Sequence, residues 1–172
     1  DSILLKAVSH WREDHESWFA GSYDRLPETL RVNPQSPEKD WVESWLEGIG
    51  ASRIPWFSGP GSAWEMPFER GSAIGETKKI MTALHDTGRV TRQEAVSMLP
   101  VLALDPSPGE RILDLCASPG SKTTQICEHL EDSGAVIANE VISGRVNTLV
   151  TNVQRHGSRS AVVVQHDGRH FP

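Results

Sequence analysis

The sequence is poor in cysteine, in uninterrupted apolar stretches and in net positive charge. Two cysteines in 172 residues, eleven positions apart, make neither a disulfide framework nor a zinc site. No apolar run approaches the roughly 20 residues of a membrane-spanning helix, and the opening residues do not follow the basic-then-apolar order of a secretory signal. Lys and Arg number 17 against 23 Asp and Glu, a formal net charge of −6, which excludes a protein that holds nucleic acid by a diffuse basic surface. There is no internal repeat and no low-complexity tract, so solenoid and fibrous classes fall away. These absences lead to an expected cytoplasmic, reducing setting, with neither a metal nor a membrane as partner.

What is present suits a folded chain. Hydrophobic residues make up 37% and charged residues 23%, and the length fits one ordinary domain or a small module joined to part of a larger one. Charge is unevenly spread. Residues 1–60 carry ten acids against six Lys or Arg, whereas residues 141–172 carry four arginines, three histidines and the single acid Asp167. A local basic face toward phosphate and an ordinary solvated helix face both fit that pattern.

Composition divides the chain at residues 72–73. The front part, 1–72, holds all six tryptophans and several Pro and Gly breaks. Leu4, Val8, Trp11, His15 and Trp18 fall at helical spacing and predict one amphipathic helix. Thr29–Asn33 predicts a strand. Ser36-Pro37 reads as a helix cap followed by proline at the first helical position, before Trp41, Val42, Trp45, Leu46 and Ile49 on one face. Ile54–Phe57 and Ala63–Phe68 predict weaker strands around Ser58-Gly59-Pro60-Gly61. The expected front unit is a small α+β module whose tryptophans either fill its core or stack on bases.

From residue 73 to 172 the pattern alternates. A helix is expected over Ala73–His85, and Thr91-Arg92-Gln93-Glu94 reads as a capping box opening another to about Leu104. Strands are expected at Arg111–Leu115, Ala135–Asn139 and Ala161–Gln165, with helices at Ser121–Leu130 and around Val146, Leu149, Val150 and Val153 between them. Strand, helix, strand, helix, strand is the first half of a doubly wound, Rossmann-like α/β sheet. Such sheets normally continue past three strands, so the chain is expected to be the N-terminal part of something longer.

The first of these strands runs into the turn Leu115–Gly120 and then a helix N-terminus, a cradle whose free N–H groups and dipole favour a carboxylate or a phosphate. A P-loop would need glycine where Leu115 stands and lysine directly after Gly120, where Ser121 stands. A dinucleotide fingerprint would need three glycines, and the turn has one. S-adenosyl-L-methionine asks less: room beside the turn, donors for its carboxylate, and an acid at the end of the second strand for the ribose. Glu140 follows that strand directly, twenty residues after Gly120. Asp167, just past the third strand, is placed to accept from an adenine amino group. Taken singly, Glu140 also reads as a solvated strand end and Asp167 as an Asx turn before Gly168.

The run Asp114-Leu-Cys-Ala-Ser-Pro-Gly-Ser-Lys-Thr-Thr-Gln resembles the cofactor motif of the Nop/Sun-type RNA cytosine-5 methyltransferases. Arg89-Val-Thr-Arg-Gln-Glu-Ala-Val-Ser-Met-Leu-Pro is similar to the same family's upstream helix, and Leu26-Pro-Glu-Thr-Leu-Arg-Val-Asn33 to its preceding RNA-binding segment. The wording is nearest the tRNA-modifying branch. The resemblance implies an S-adenosyl-L-methionine-dependent enzyme forming 5-methylcytosine in RNA, tRNA before rRNA. It implies that Cys116, Ala117, Ser118, Pro119, Gly120, Ser121 and Lys122 wrap the cofactor, that Glu140 holds the ribose and that Asp167 meets the adenine. Arg145 matches a position where the family often has arginine, toward the cofactor or a structural acid. Ser118 replaces the alanine common in the family's loop.

Cytosine C5 is a poor nucleophile, so such enzymes first add a cysteine thiolate to C6. The resemblance implies that this cysteine, and a second one assisting release, lie on loops beyond Pro172. Cys116 would face the cofactor, and Cys127 falls within a helix and reads as core. The chain by itself is therefore expected to bind cofactor weakly and to catalyse nothing. A non-catalytic RNA- or protein-binding module with a vestigial methyltransferase fold is the alternative, and a small-molecule methyltransferase a further one.

Overall fold

A computed structural model describes residues 3–171; Asp1 and Pro172, the outer bounds of the two expected units, lie outside the described residues. Strand β1 (Pro27–Val32) has proline at its first position, where the missing N–H costs no ladder bond. It lies inside a four-stranded antiparallel sheet with two-residue β2 (Ser52–Arg53), β3 (Ser62–Glu69) and β4 (Val90–Arg92), in the order β2-β3-β1-β4 among the described residues. A strand covered on both faces has no solvent side, and β1 is buried from Glu28 onward. Leu30 and Val32 enter a core with Val42 and Leu46 of α3 (Lys39–Gly48), Trp64 and Met66 of β3, and Met81 and Leu84 of α4 (Gly75–Asp86). Thr29, Arg31 and Asn33, on the other side of the pleat, reach Gln93, Glu128 and His156.

Four expectations change here. The single front helix is broken into α1 (Ile3–Ser9) and α2 (His15–Gly21), neither of which buries a residue. A short helix without a packed face has little to hold it, and the Arg12–Asp14 ion pair closes the bend between the two. Thr91 does not begin a helix, because it lies in β4 and its backbone pairs with Arg31 of β1; helical structure starts only at Ala95, as a 3-10 turn leading into α5 (Leu99–Leu104). Ile54–Phe57 is a turn beside β2, with the Ile54 N–H donating to Ala63. The change of composition at 72–73 is also not where packing changes. Helix α4 and strand β4 complete the front core and sheet, and the change comes after Arg92.

The second sheet is parallel: β5 (Arg111–Asp114), β6 (Ala135–Asn139) and β7 (Ala161–Val164), in that order, linked by α6 (Ser121–Leu130) and α7 (Ser143–His156). The register puts Ile112, Val136, Ala138, Ala161 and Val163 on one face, where α5, α6 and α7 cover them. The opposite face carries Leu113 and Val162, which are 42% and 56% exposed. The continuously apolar third strand is thus covered on one side only. The described residues have the α/β, Rossmann-like start that the alternation predicts, and none of their helices is long and apolar enough to cross a membrane.

Candidate cofactor site

The carboxyl edge of the parallel sheet is where an open α/β fold binds small molecules, and here three strand ends are tied by one side chain. Asn139, buried at the end of β6, donates to Leu115 O and to His166 O, each at 3.0 Å, and accepts from the His166 N–H at 2.9 Å. Its own carbonyl accepts from Ala117 N–H at 2.8 Å. A polar residue closing the apolar run Ala-Val-Ile-Ala, directly before Glu140, is the sequence signal for it.

The turn after β5 is held from both sides. Asp114 Oδ2 accepts from Thr123 Oγ1 at 2.8 Å, joining the strand end to the first turn of α6. Ser118 Oγ donates to Arg145 O, and Arg145 Nη2 donates back to Ser118 O at 2.7 Å. Asn152 Nδ2 donates to Pro119 O at 2.6 Å. Gly120 closes the turn at φ 107°, and a Cβ there would lie 3.0 Å from Leu149 Cδ1 of α7. Gly120→Ala therefore combines left-handed strain with a crowded neighbour, at a cost above about 1 kcal/mol. A thermal melt should fall by several degrees, roughly 2–4 °C for each kcal/mol at this size; an unshifted melt would show that the turn relaxes freely.

A cavity of about 360 Å³ opens above the edge, and Cys116, Glu140, Arg145 and Asp167 all line it. That volume is in the range of small-molecule sites, roughly 300–1,000 Å³. The remaining loop residues are placed elsewhere. Ala117 packs into the core beneath the turn with Leu149 and Val153, and Ser118 is buried in its bonds to Arg145. Pro119, Gly120 and Ser121 face the front module, and Lys122 is exposed on the first turn of α6.

Glu140 is only 4% exposed. Its Oε1 accepts from Ile142 N–H at 3.0 Å, and Oε2 lies 3.5 Å from Arg145 Nε, so the carboxylate is oriented with capacity left to accept. Asp167 is forked by Arg169, at 2.6 Å from Nη2 to Oδ2 and 3.1 Å from Nε to Oδ1. Those bonds, and the Arg169 backbone N–H, hold its carboxyl below the usual carboxylate range. Acceptors at two neighbouring strand ends, with Leu115, Val141 and Ile142 as apolar walls, suit a flat heterocycle bearing hydroxyl and amino donors. Cys127 lies in the α6 core, and burial pushes its thiol up to about 11. Among the described residues no group of three or more His, Cys, Asp or Glu side chains could hold a metal.

Residues 101–172 match the family model described as 16S rRNA methyltransferase RsmB/F. The tRNA (cytosine(49)-C(5))-methyltransferase of Pyrococcus abyssi is 34% identical over 160 residues, 92% of this chain and 49% of the relative. The chain belongs to the Nop/Sun-type RNA cytosine-5 methyltransferase family. Other members act on other RNAs: the 28S rRNA (cytosine-C(5))-methyltransferase of Mus musculus is 41% identical over 146 residues, 85% of this chain and 18% of the relative. A crystal structure of a methyltransferase homologue from Pyrococcus horikoshii superposes with a TM-score of 0.74 at 27% identity, over 93% of this chain and 50% of that one. This family chain thus spans about half, or less, of the length of these relatives.

Proposed function

We propose that this chain carries the S-adenosyl-L-methionine site of an RNA (cytosine-5) methyltransferase. The observation that supports it most is the convergence of Cys116, Glu140, Arg145 and Asp167, from three separate strand ends, on one 360 Å³ cavity. In this reading Glu140 accepts from the ribose hydroxyls and Arg145 holds Glu140 and Ser118 in place. Asp167 accepts from the adenine amino group, for which its fork with Arg169 must loosen. Cys116–Gly120 shape the turn, and Ser121 and Lys122 open α6 toward the methionine carboxylate. Bound S-adenosyl-L-methionine supplies the methyl group.

The same reading assigns RNA to the front module, the unit from α1 through β4, where Trp11, Trp18, Trp41 and Trp56 expose ring faces that can stack on bases. A tRNA is the preferred substrate over rRNA, in keeping with the archaeal relative that aligns along most of the chain, and the setting is the cytoplasm. Attack on cytosine C6 needs a thiolate facing the base. Cys116 lines the cofactor cavity and Cys127 is buried with its thiol pushed up to about 11, so neither is placed to supply it. A second reading that fits the placement of these two cysteines is an RNA-binding module that retains the fold without catalysis.

Calorimetric titration with S-adenosylhomocysteine tests the site. The chain should bind, and Glu140→Ala should bind at least about tenfold more weakly, since a hydrogen bond to a charged group is worth roughly 1.5–3 kcal/mol. Undiminished affinity in Glu140→Ala removes that residue from the site. RNA binding unchanged by saturating S-adenosylhomocysteine, with no 5-methylcytosine formed by the full-length protein, selects the second reading.

A further inference from the structure

The front module and the cofactor turn meet at a charged contact that is entirely closed to solvent. Arg31 leaves β1 on the face away from the front core and reaches α6, with both side chains at 0% exposure. Its Nε and Nη2 fork the Glu128 carboxylate, each at 2.9 Å. The same guanidinium donates to Ser121 O at 3.2 Å and to Thr124 Oγ1 at 3.3 Å, both on the first turn of α6. That turn follows directly from Gly120. Glu128 Oε1 also meets His156 Nε2, at the end of α7, at 3.2 Å. Beside them Asn33 Nδ2 donates to Gly88 O at 3.0 Å and to His156 O. Gly88, at φ 72°, sits so close to α7 that a Cβ would fall 2.0 Å from Arg155 O.

Two features make this more than an anchor. A buried ion pair is a weak source of stability, because desolvation of both charges offsets most of their attraction, and apolar residues of similar volume often do as well or better. What a forked, five-donor guanidinium adds is direction: four of its contacts fix α6 in rotation and in translation along its axis. Behind the turn, Pro119, Gly120 and Ser121 face Val90, Thr91 and Arg92 across a cavity of only about 60 Å³. A shift of the front module is therefore met at once by the turn that shapes the cofactor cavity.

We propose that Arg31 is a positioning residue, through which the front module sets the pose of the α6 N-terminus and hence the affinity of the cofactor turn. This rests on the cofactor reading of the site. Because coupling free energies are reciprocal, a ligand on the front module and a ligand at the turn alter one another's affinity by the same factor.

The test uses Arg31→Met/Glu128→Gln, which removes both charges yet keeps an acceptor for His156, and Arg31→Lys, which keeps the charge without the fork. Each is read by thermal melting, by titration with S-adenosylhomocysteine, and by hydrogen exchange at the Thr124–Cys127 amides against those of β6. The double variant should melt close to the parent, bind about tenfold more weakly, within the 5–150-fold span of ordinary coupling, and lose protection in α6 while β6 keeps it. Arg31→Lys should melt near the parent as well, without recovering affinity. Parental affinity and parental α6 protection in the double variant overturn the proposal. Should the double variant fail to fold, Arg31→Lys decides by the same two readouts. If the parent does not bind S-adenosylhomocysteine while α6 protection still falls in the variants, the cofactor reading fails and the positioning role stands. If Glu140→Ala loses affinity and the Arg31 variants do not, the positioning role alone fails.

Discussion

Arg31→Met alone is expected to cost the folded chain about 3–5 kcal/mol, because it leaves Glu128 as an uncompensated charge in a site with no solvent exposure. The loss compounds several groups at once. Glu128 forfeits both halves of its fork, and Ser121 O and Thr124 Oγ1 lose a donor. Urea unfolding should show a lower midpoint with little change in slope; a loss below about 1 kcal/mol would mean that the pocket admits water readily. The effect should also depend on pH. Burial pushes the Glu128 carboxyl up, but the Arg31 charge and the hydrogen bonds from His156 and Arg31 outweigh it and hold the carboxyl below its ordinary value. A group depressed in the folded state contributes stability that is complete above the ordinary glutamate range and is lost as pH falls through the depressed value. Without Arg31 only His156 still opposes burial, so the carboxyl moves upward. The gap between parent and Arg31→Met should therefore narrow as the pH is lowered, and a gap that widens toward acid would contradict the assignment.

Trp64→Ala should cost a similar amount, about 3–5 kcal/mol, but confined to the front module. Trp64 is 1% exposed and is the largest fully buried side chain. It packs with Leu30, Val42, Leu46 and Met66, donates from Nε1 to Ser62 Oγ at 2.8 Å, and lies under the Arg53 guanidinium at 4.7 Å. Truncation leaves a void that the two-residue β2 cannot collapse to fill, and it frees Ser62 from a chain of bonds that continues to Glu43 Oε1 at 2.6 Å. Hydrogen exchange should show the β1 and β3 amides opening while β6 stays protected. Equal loss of protection in β1 and β6 would show instead that the two units unfold together. Trp64→Phe should restore part of the stability.

Much of the second sheet was legible in the order of residues, since parallel strands and crossover helices announce themselves by period and by the glycine that ends a strand. Arg111–Asp114, Ala135–Asn139 and Ala161–Val164 form within a residue of where the alternation puts them. The front module was less legible. One helix with regular apolar spacing from Leu4 to Trp18 became two short ones, because spacing says which face could be buried and nothing about whether a partner exists to bury it. Thr91 satisfied a capping pattern and still became strand, because β1 offered its backbone a sixty-residue-distant partner that no local rule contains. The roles of Asn139 and Arg31 are not legible in the sequence for the same reason: their contacts run to residues 24 and 97 positions away.

The chain's own order of residues thus determined the α/β alternation, the turn at Leu115–Gly120 with its positive-φ glycine, and the acids that follow the second and third strands. These depend on hydrophobic period, glycine geometry and spacing, which are local. Only the tertiary structure decided that Glu140 is sequestered and oriented while Asp167 is held by Arg169, and that Ala117 points into the core rather than the cavity. It also decided that the front module joins the first turn of α6 through a buried guanidinium. Those outcomes depend on which elements pack together, and burial is a property of the assembled fold.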